Sequence, residues 1–135
     1  MNNEVTLFRS NENSNIYCSI VAKDNEEKKK LFNALESCDL LLNDCVGQKI
    51  KMKDLYIEAY ETEDEDTGEV RKKFRTIIFD EDGQTYATGS YGIYNILQKI
   101  VAIYGLPNTW AEPVEVEVIK KDAKDGKKSL SLKLV

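Results

Sequence analysis

The chain has 135 residues, about one domain's length, and its 41% hydrophobic and 32% charged residues suit a globular protein rather than a disordered one. It contains no His, and 24 acidic residues against 19 basic ones leave a formal charge of −5. The missing His removes Ser–His and Cys–His nucleophile pairs and imidazole metal ligands, while the charge argues at first sight against a nucleic-acid partner. No apolar run nears the ~20 residues of a membrane span, and Met1 opens onto Asn2, Asn3 and Glu4 rather than a signal sequence. The expectation is a cytoplasmic protein without a membrane partner. Cys18, Cys38 and Cys45 form no CxxC pair and fall short of a four-ligand zinc site, so they read as buried, reduced thiols.

Residues 1–15 are rich in Asn and Ser and are expected to be a loosely ordered start. The alternating stretch 16–22 predicts a strand. Asp24 followed by Glu27 resembles a capping box, with Leu31, Phe32, Leu35 and Cys38 as the apolar face of the helix behind it. Leu40 to Leu42 lead through Asn43 and Asp44 to a stop at Gly47. In the long extended run from Lys49 to Tyr60, Ile50 and Met52 share one parity, whereas Leu55, Ile57 and Ala59 share the other. Such a slip predicts a β-bulge near Lys53 and Asp54.

Residues 61–69 form a turn closed by Thr67 and Gly68, and Val70 to Asp80 make the second long strand. Asp80 to Gly83 signal a tight turn before a short strand over 84–88. Ile93, Ile96, Leu97, Ile100, Val101 and Tyr104 mark a helix that starts near Ser90 and stops at Gly105, with Pro107 beyond. Residues 114–119 alternate as a fourth strand, and Leu130, Leu132 and Leu134 alternate in a fifth. The order after Gly47 is therefore β-β-β-α-β-β. This predicts a mainly β protein with an OB-fold-like five-stranded barrel, preceded by an N-terminal strand and helix (16–47), all within one domain over 16–135. An open α+β sheet with two helices on one face is the rival; the bulge and the helix position favour the barrel.

The stretch Tyr86-Ala87-Thr88-Gly89-Ser90-Tyr91-Gly92-Ile93, the helix through Tyr104-Gly105, then Pro107, Trp110 and Pro113, together with the hairpin over 79–86, resembles single-stranded DNA-binding proteins of phages and mobile elements of Gram-positive bacteria. The resemblance runs over about residues 16–135 in order of elements, on loose motifs. It implies an OB-type barrel that coats replication intermediates without strong sequence preference. One departure stands out: the loop 61–69, which in OB-folds often touches the ligand, holds six acids and no base.

Four cations surround Phe74 in Arg71-Lys72-Lys73-Phe74-Arg75, and alternation puts Arg71, Lys73 and Arg75 on one face. That row matches phosphates along an extended strand, but it equally suits a solvated face beside the acidic loop. Residues 120–128 carry five cations and two acids, which either flank a groove, with Lys120 and Lys127 as contacts, or form a harmless hairpin tip. After the bulge Tyr56 and Tyr60 should face outward. Tyr86 and Tyr91 join Tyr56 as candidate stacking platforms, or pack on a partner or the N-terminal helix; Lys53 completes the candidate nucleic-acid contacts. Asp64 and Asp66, or Asp80 and Asp82, could mimic nuclease metal ligands, but their setting is that of turns. The expectation is a non-catalytic, sequence-tolerant protein without cofactor or metal that binds single-stranded DNA and protects replication or recombination intermediates. Replication proteins and a second copy of the chain are candidate further partners. The alternative is an interaction module whose acidic face mimics DNA on a host enzyme.

Overall fold

The computed structural model describes residues 16–122, 126 and 128–135. In chain order these form β1 (Ile16–Cys18), α1 (Asn25–Glu36), β2 (Leu40–Leu41), a 3-10 turn (Leu42–Cys45), β3 (Lys49–Glu63), β4 (Val70–Asp80), β5 (Thr85–Thr88), α2 (Tyr91–Tyr104), a second 3-10 turn (Pro107–Thr109), β6 (Val114–Asp122) and β7 (Lys128–Leu134). The strands join in one sheet of order β2-β5-β4-β3-β6-β7, with β1 also on β3.

β3 is the axis. One edge pairs with β4 from Met52 to Glu63; the other pairs first with β6 (Lys49 to Met52) and then with β1 (Tyr56 to Glu58). The expected bulge is present: the register against β4 skips Lys53. The extra residue turns Ile50 and Met52 into the same core as Leu55, Ile57 and Ala59. Ser19 closes the irregularity. Its Oγ donates to Asp54 Oδ1 at 2.8 Å and accepts from the Leu55 amide at 2.9 Å, while its own amide donates to the Leu55 carbonyl at 3.0 Å. This explains why β1 ends at Cys18 instead of running to Ala22.

Among the described residues seven strands stand where six were expected, five in the barrel and one in the N-terminal extension; the addition is the short β2, which runs parallel to β5. The sheet curls. α2 packs against both β4 and β7, which are separated in the sheet by β3 and β6. Gly92 permits the close approach, since a Cβ there would lie 3.0 Å from the Leu130 carbonyl oxygen. A mainly β protein with a half-barrel sheet and two helices results, compatible with an OB-like fold. Among the described residues no helix is long and apolar enough to cross a membrane.

The helix ends follow their local chemistry. Asp24 accepts from the Glu27 amide at 2.9 Å and Ser90 from the Ile93 amide at 3.3 Å, as N-caps do. α2 buries Ile93, Tyr94, Leu97 and Ile100. Tyr104, expected in its core stripe, is 49% exposed in the last turn. On α1 the contact stripe is Leu31, Ala34 and Leu35, joined by Cys38 just past the helix end, over Tyr56, Ile77 and Phe79. Phe32, one position round from Leu31, is 63% exposed instead. Cys45 is buried and Cys18 and Cys38 are half-buried; all three are free, and burial pushes their thiols up in pKa.

Ser19→Ala should strand the Leu55 amide and the Asp54 carboxylate at the bulge. The expected loss is about 1–3 kcal/mol, read from urea midpoints at constant m. A shift below about 0.5 kcal/mol, the level of neutral surface changes, would show that the bulge stands without this hydroxyl.

Candidate nucleic-acid interface

Beyond the covered part of the sheet, β3 and β4 continue as a two-stranded arm. Every residue from Tyr60 to Lys73 is exposed. The tip is organised by Asp64, whose Oδ1 accepts from the Asp66 and Thr67 amides at 2.8 and 3.0 Å, and by Gly68 at φ 72°. Those two amide bonds also lower the Asp64 pKa. The Asp80 turn is built alike, with Oδ1 accepting from the Asp82 and Gln84 amides at 2.9 Å each. Both aspartates thus serve turns, and among the described residues no cluster of three or more His, Cys, Asp or Glu could hold a metal ion.

The register sorts the arm's charges by face. Tyr60 lies opposite Lys73 and Thr62 opposite Arg71, so Tyr60, Thr62, Arg71 and Lys73 share one face. Glu61 opposite Lys72 and Glu63 opposite Val70 share the other. Arg71 forms an exposed ion pair with Glu69, Nη2 to Oε2 at 3.5 Å, a contact of small energetic weight in solvent. Thr62, Arg71 and Lys73 line a shallow recess of ≈ 150 Å³ that Glu63, Asp64 and Glu69 close at the tip.

Arg75 continues the row but not the exposure. It is half-buried, and its Nη2 donates to the Leu35 carbonyl at 2.7 Å, near Cys38 Sγ at 3.9 Å. α1 has no basic residue in its last turn, so Arg75 supplies a cation at the negative end of the helix dipole. Of the three cations expected in a row, two, Arg71 and Lys73, are exposed.

Tyr56 does not face outward. It is 7% exposed beneath α1, and its hydroxyl donates to Glu58 Oε1 at 3.1 Å. Tyr86 is 5% exposed on the core side of β5, with its hydroxyl 3.0 Å from Asp80 Oδ2 and 3.1 Å from Gln84 Oε1. Neither ring offers an open face to a base. Tyr91 does, at 62% exposure, and it belongs to a cluster that strand parity alone does not reveal. Phe74 stacks on Tyr94 with centroids 3.8 Å apart, and Tyr91 tilts against them at 5.8 and 6.1 Å.

Lys53 is exposed at the bulge, and Lys120 is exposed near the end of β6, opposite Leu130. Lys127 lies outside the described residues. Because β6 runs antiparallel to β3 and leaves past Lys49, the end carrying Lys120 and the arm carrying Arg71 and Lys73 extend beyond opposite ends of β3. Arg71, Lys73 and Tyr60 are thus brought together; Lys53 and Lys120 stand apart from them.

Residues 10–135 match the sequence profile of the phage single-stranded DNA-binding proteins of the phi29 type. The chain belongs to this family. A single-stranded DNA-binding protein of Bacillus phage GA-1 is 31% identical over 116 residues, covering 82% of this chain and 66% of that relative, just under two thirds of its length. No solved structure matches.

In this chain, burial and then the Glu58 contact push Tyr56 up to about 12, and burial and then the Asp80 contact do the same for Tyr86. Both phenols start from an ordinary 10.0, so they favour the fold fully below that pH and lose the contribution as pH climbs to about 12. A phenolate absorbance titration should show Tyr56, Tyr86 and the buried Tyr94 ionising late, and Tyr56→Phe and Tyr86→Phe should each delete one late step. Ionisation of all seven tyrosines together near 10.0 would contradict this burial.

Proposed function

We propose that this chain binds single-stranded DNA without strong sequence preference through the cationic face of the β3–β4 arm, and that it coats intermediates of replication or recombination in the host cytoplasm. The observation that carries the reading is the sorting of charge on the arm: Arg71 and Lys73 beside Tyr60 on one exposed face, Glu61 and Glu63 with Lys72 on the other. Alternate residues of a strand stand about 6.8 Å apart, a step comparable to that of successive phosphates in an extended single strand. Membership of a phage single-stranded DNA-binding family supports the same ligand.

Bases then stack on Tyr60 on the cationic face, and Tyr91, exposed over the Phe74–Tyr94 stack on the opposite side of the sheet, adds a contact where the DNA strand passes round the arm. Each such contact is worth about 1–3 kcal/mol by truncation. Arg75, Tyr56 and Tyr86 act indirectly, by fixing α1 and the sheet beneath the arm. Lys53, Lys120 and Lys127 add peripheral phosphate contacts. The task is non-catalytic: binding by charge and stacking forms and breaks no covalent bond. An OB-type barrel, closed more fully than the half-barrel pairing, is the architecture this reading favours.

With about four phosphates neutralised, log K against log salt should slope near −3, from roughly −0.7 per contact on single strands. Titration of a fluorescent poly-dT oligomer at several salt concentrations measures it. Arg71→Glu with Lys73→Glu should weaken binding at least about tenfold and flatten the slope by about 1.4, whereas Lys72→Glu on the opposite face should do much less. Absence of binding at low salt and micromolar protein, or equal effects from both faces, would sink the reading.

A further inference from the structure

At the end of β3 remote from the arm, an open groove of ≈ 640 Å³ runs between the end of α2, the segment entering β6, and β7. Tyr104, Trp110 and Leu134 give it an apolar wall, and Tyr104 and Leu134 are exposed there. The tryptophan is fixed in place. Its Nε1–H donates to the Gly105 carbonyl at 2.9 Å, and its amide donates to the Pro107 carbonyl at 3.1 Å. Gly105, at φ 88°, makes this turn possible, because a Cβ there would lie 2.8 Å from Thr109 Oγ1.

The lining is also acidic. Glu81, Glu112 and Glu115 belong to it with a single cation, Lys51, whose Nζ lies 3.7 Å from Glu81 Oε1. Among the described residues Glu112 and Glu115 have no ion pair. Carboxylates beside rigid aromatic rings suit a guanidinium or an ammonium group, which gains charge-assisted hydrogen bonds and a cation–π contact together. The same carboxylates repel a phosphodiester chain, so nucleic acid does not fit. The apolar wall suits aliphatic neighbours of the cation.

We propose that this groove docks a peptide segment of another protein that carries an arginine or lysine between apolar side chains. The site is separate from the cationic arm face. From Lys51 to Tyr60 along β3 is about 30 Å at roughly 3.3 Å per residue, so both surfaces can be occupied at once.

Trp110 is the chain's single tryptophan and reports on the groove directly. The probe is a short acetylated peptide alternating leucine and arginine, compared with one alternating leucine and glutamate, neither containing an aromatic residue. The arginine peptide should change the Trp110 emission saturably, and the glutamate peptide should not. Combined Glu112→Gln and Glu115→Gln should weaken the arginine peptide at least tenfold, with thermal unfolding checking that the fold is kept. Poly-dT added without peptide should leave the Trp110 emission unchanged. A flat emission with the arginine peptide, an equal response to both peptides, or an unaffected double variant would overturn the proposal. A saturable Trp110 response to poly-dT alone would overturn it too, and would assign the groove to nucleic acid.

Discussion

One extra residue in β3 sets the geometry on which the rest of the sheet depends. A strand buries alternate side chains, so a strand of fifteen residues cannot carry both Ile50 and Ile57 into one core without a slip. The bulge at Lys53 supplies that slip and bends the strand, so that β6 pairs before it and β1 after it on the same edge. An irregularity of this kind leaves backbone groups without ladder partners, and a buried amide left unpaired is costly. The Ser19 hydroxyl, delivered by β1, accepts from the Leu55 amide. The N-terminal extension is therefore a working part of the sheet.

The second contribution of that extension is α1. It is a polar helix with no fully buried residue, yet it covers Tyr56, Ile77 and Phe79 and is held at its end by Arg75. A sheet face that would otherwise be wet becomes a small second core. The cover stops short of the arm, and the transition is sharp along β3: Tyr56 lies under the helix, whereas Tyr60, four residues on with the same parity, lies in solvent. The arm's exposure follows from where α1 ends as much as from its own residues.

Features decided within a few residues were legible in the sequence. The caps at Asp24 and Ser90, the Asp80–Gly83 turn, the bounds of β4 and the phase slip of β3 all follow from local hydrogen bonding or side-chain period. What misled was coverage by remote chain. Parity correctly put Tyr56 and Tyr60 on one face of β3, but it carries no information about which element docks there. Arg75 read as a third phosphate contact for the same reason; its partner, the Leu35 carbonyl, lies forty positions away. Tyr86 was misplaced because a four-residue strand gives too little alternation to fix its inner face. Arg71 and Lys73 stand where expected because no remote element covers them, and the Glu69 that pairs with Arg71 is a near neighbour in sequence. The Phe74–Tyr94 stack unites a strand and a helix, a pairing no single periodicity signals.

The division of the arm into one basic and one acidic face has a kinetic meaning. At separations comparable to the screening length of about 10 Å, the proposed DNA ligand meets the field of the whole molecule, whose charge of −5 repels it. Only at closer range, and only from one side, does the local field of Arg71 and Lys73 reverse that sign. Lowering the ionic strength therefore lengthens the reach of the repulsion as well as deepening the attraction, so encounter and retention respond to salt in opposite senses. On the proposed reading the arm selects orientation before it grips, because the Arg71 and Lys73 side favours a phosphate chain more than the Glu61 and Glu63 side does.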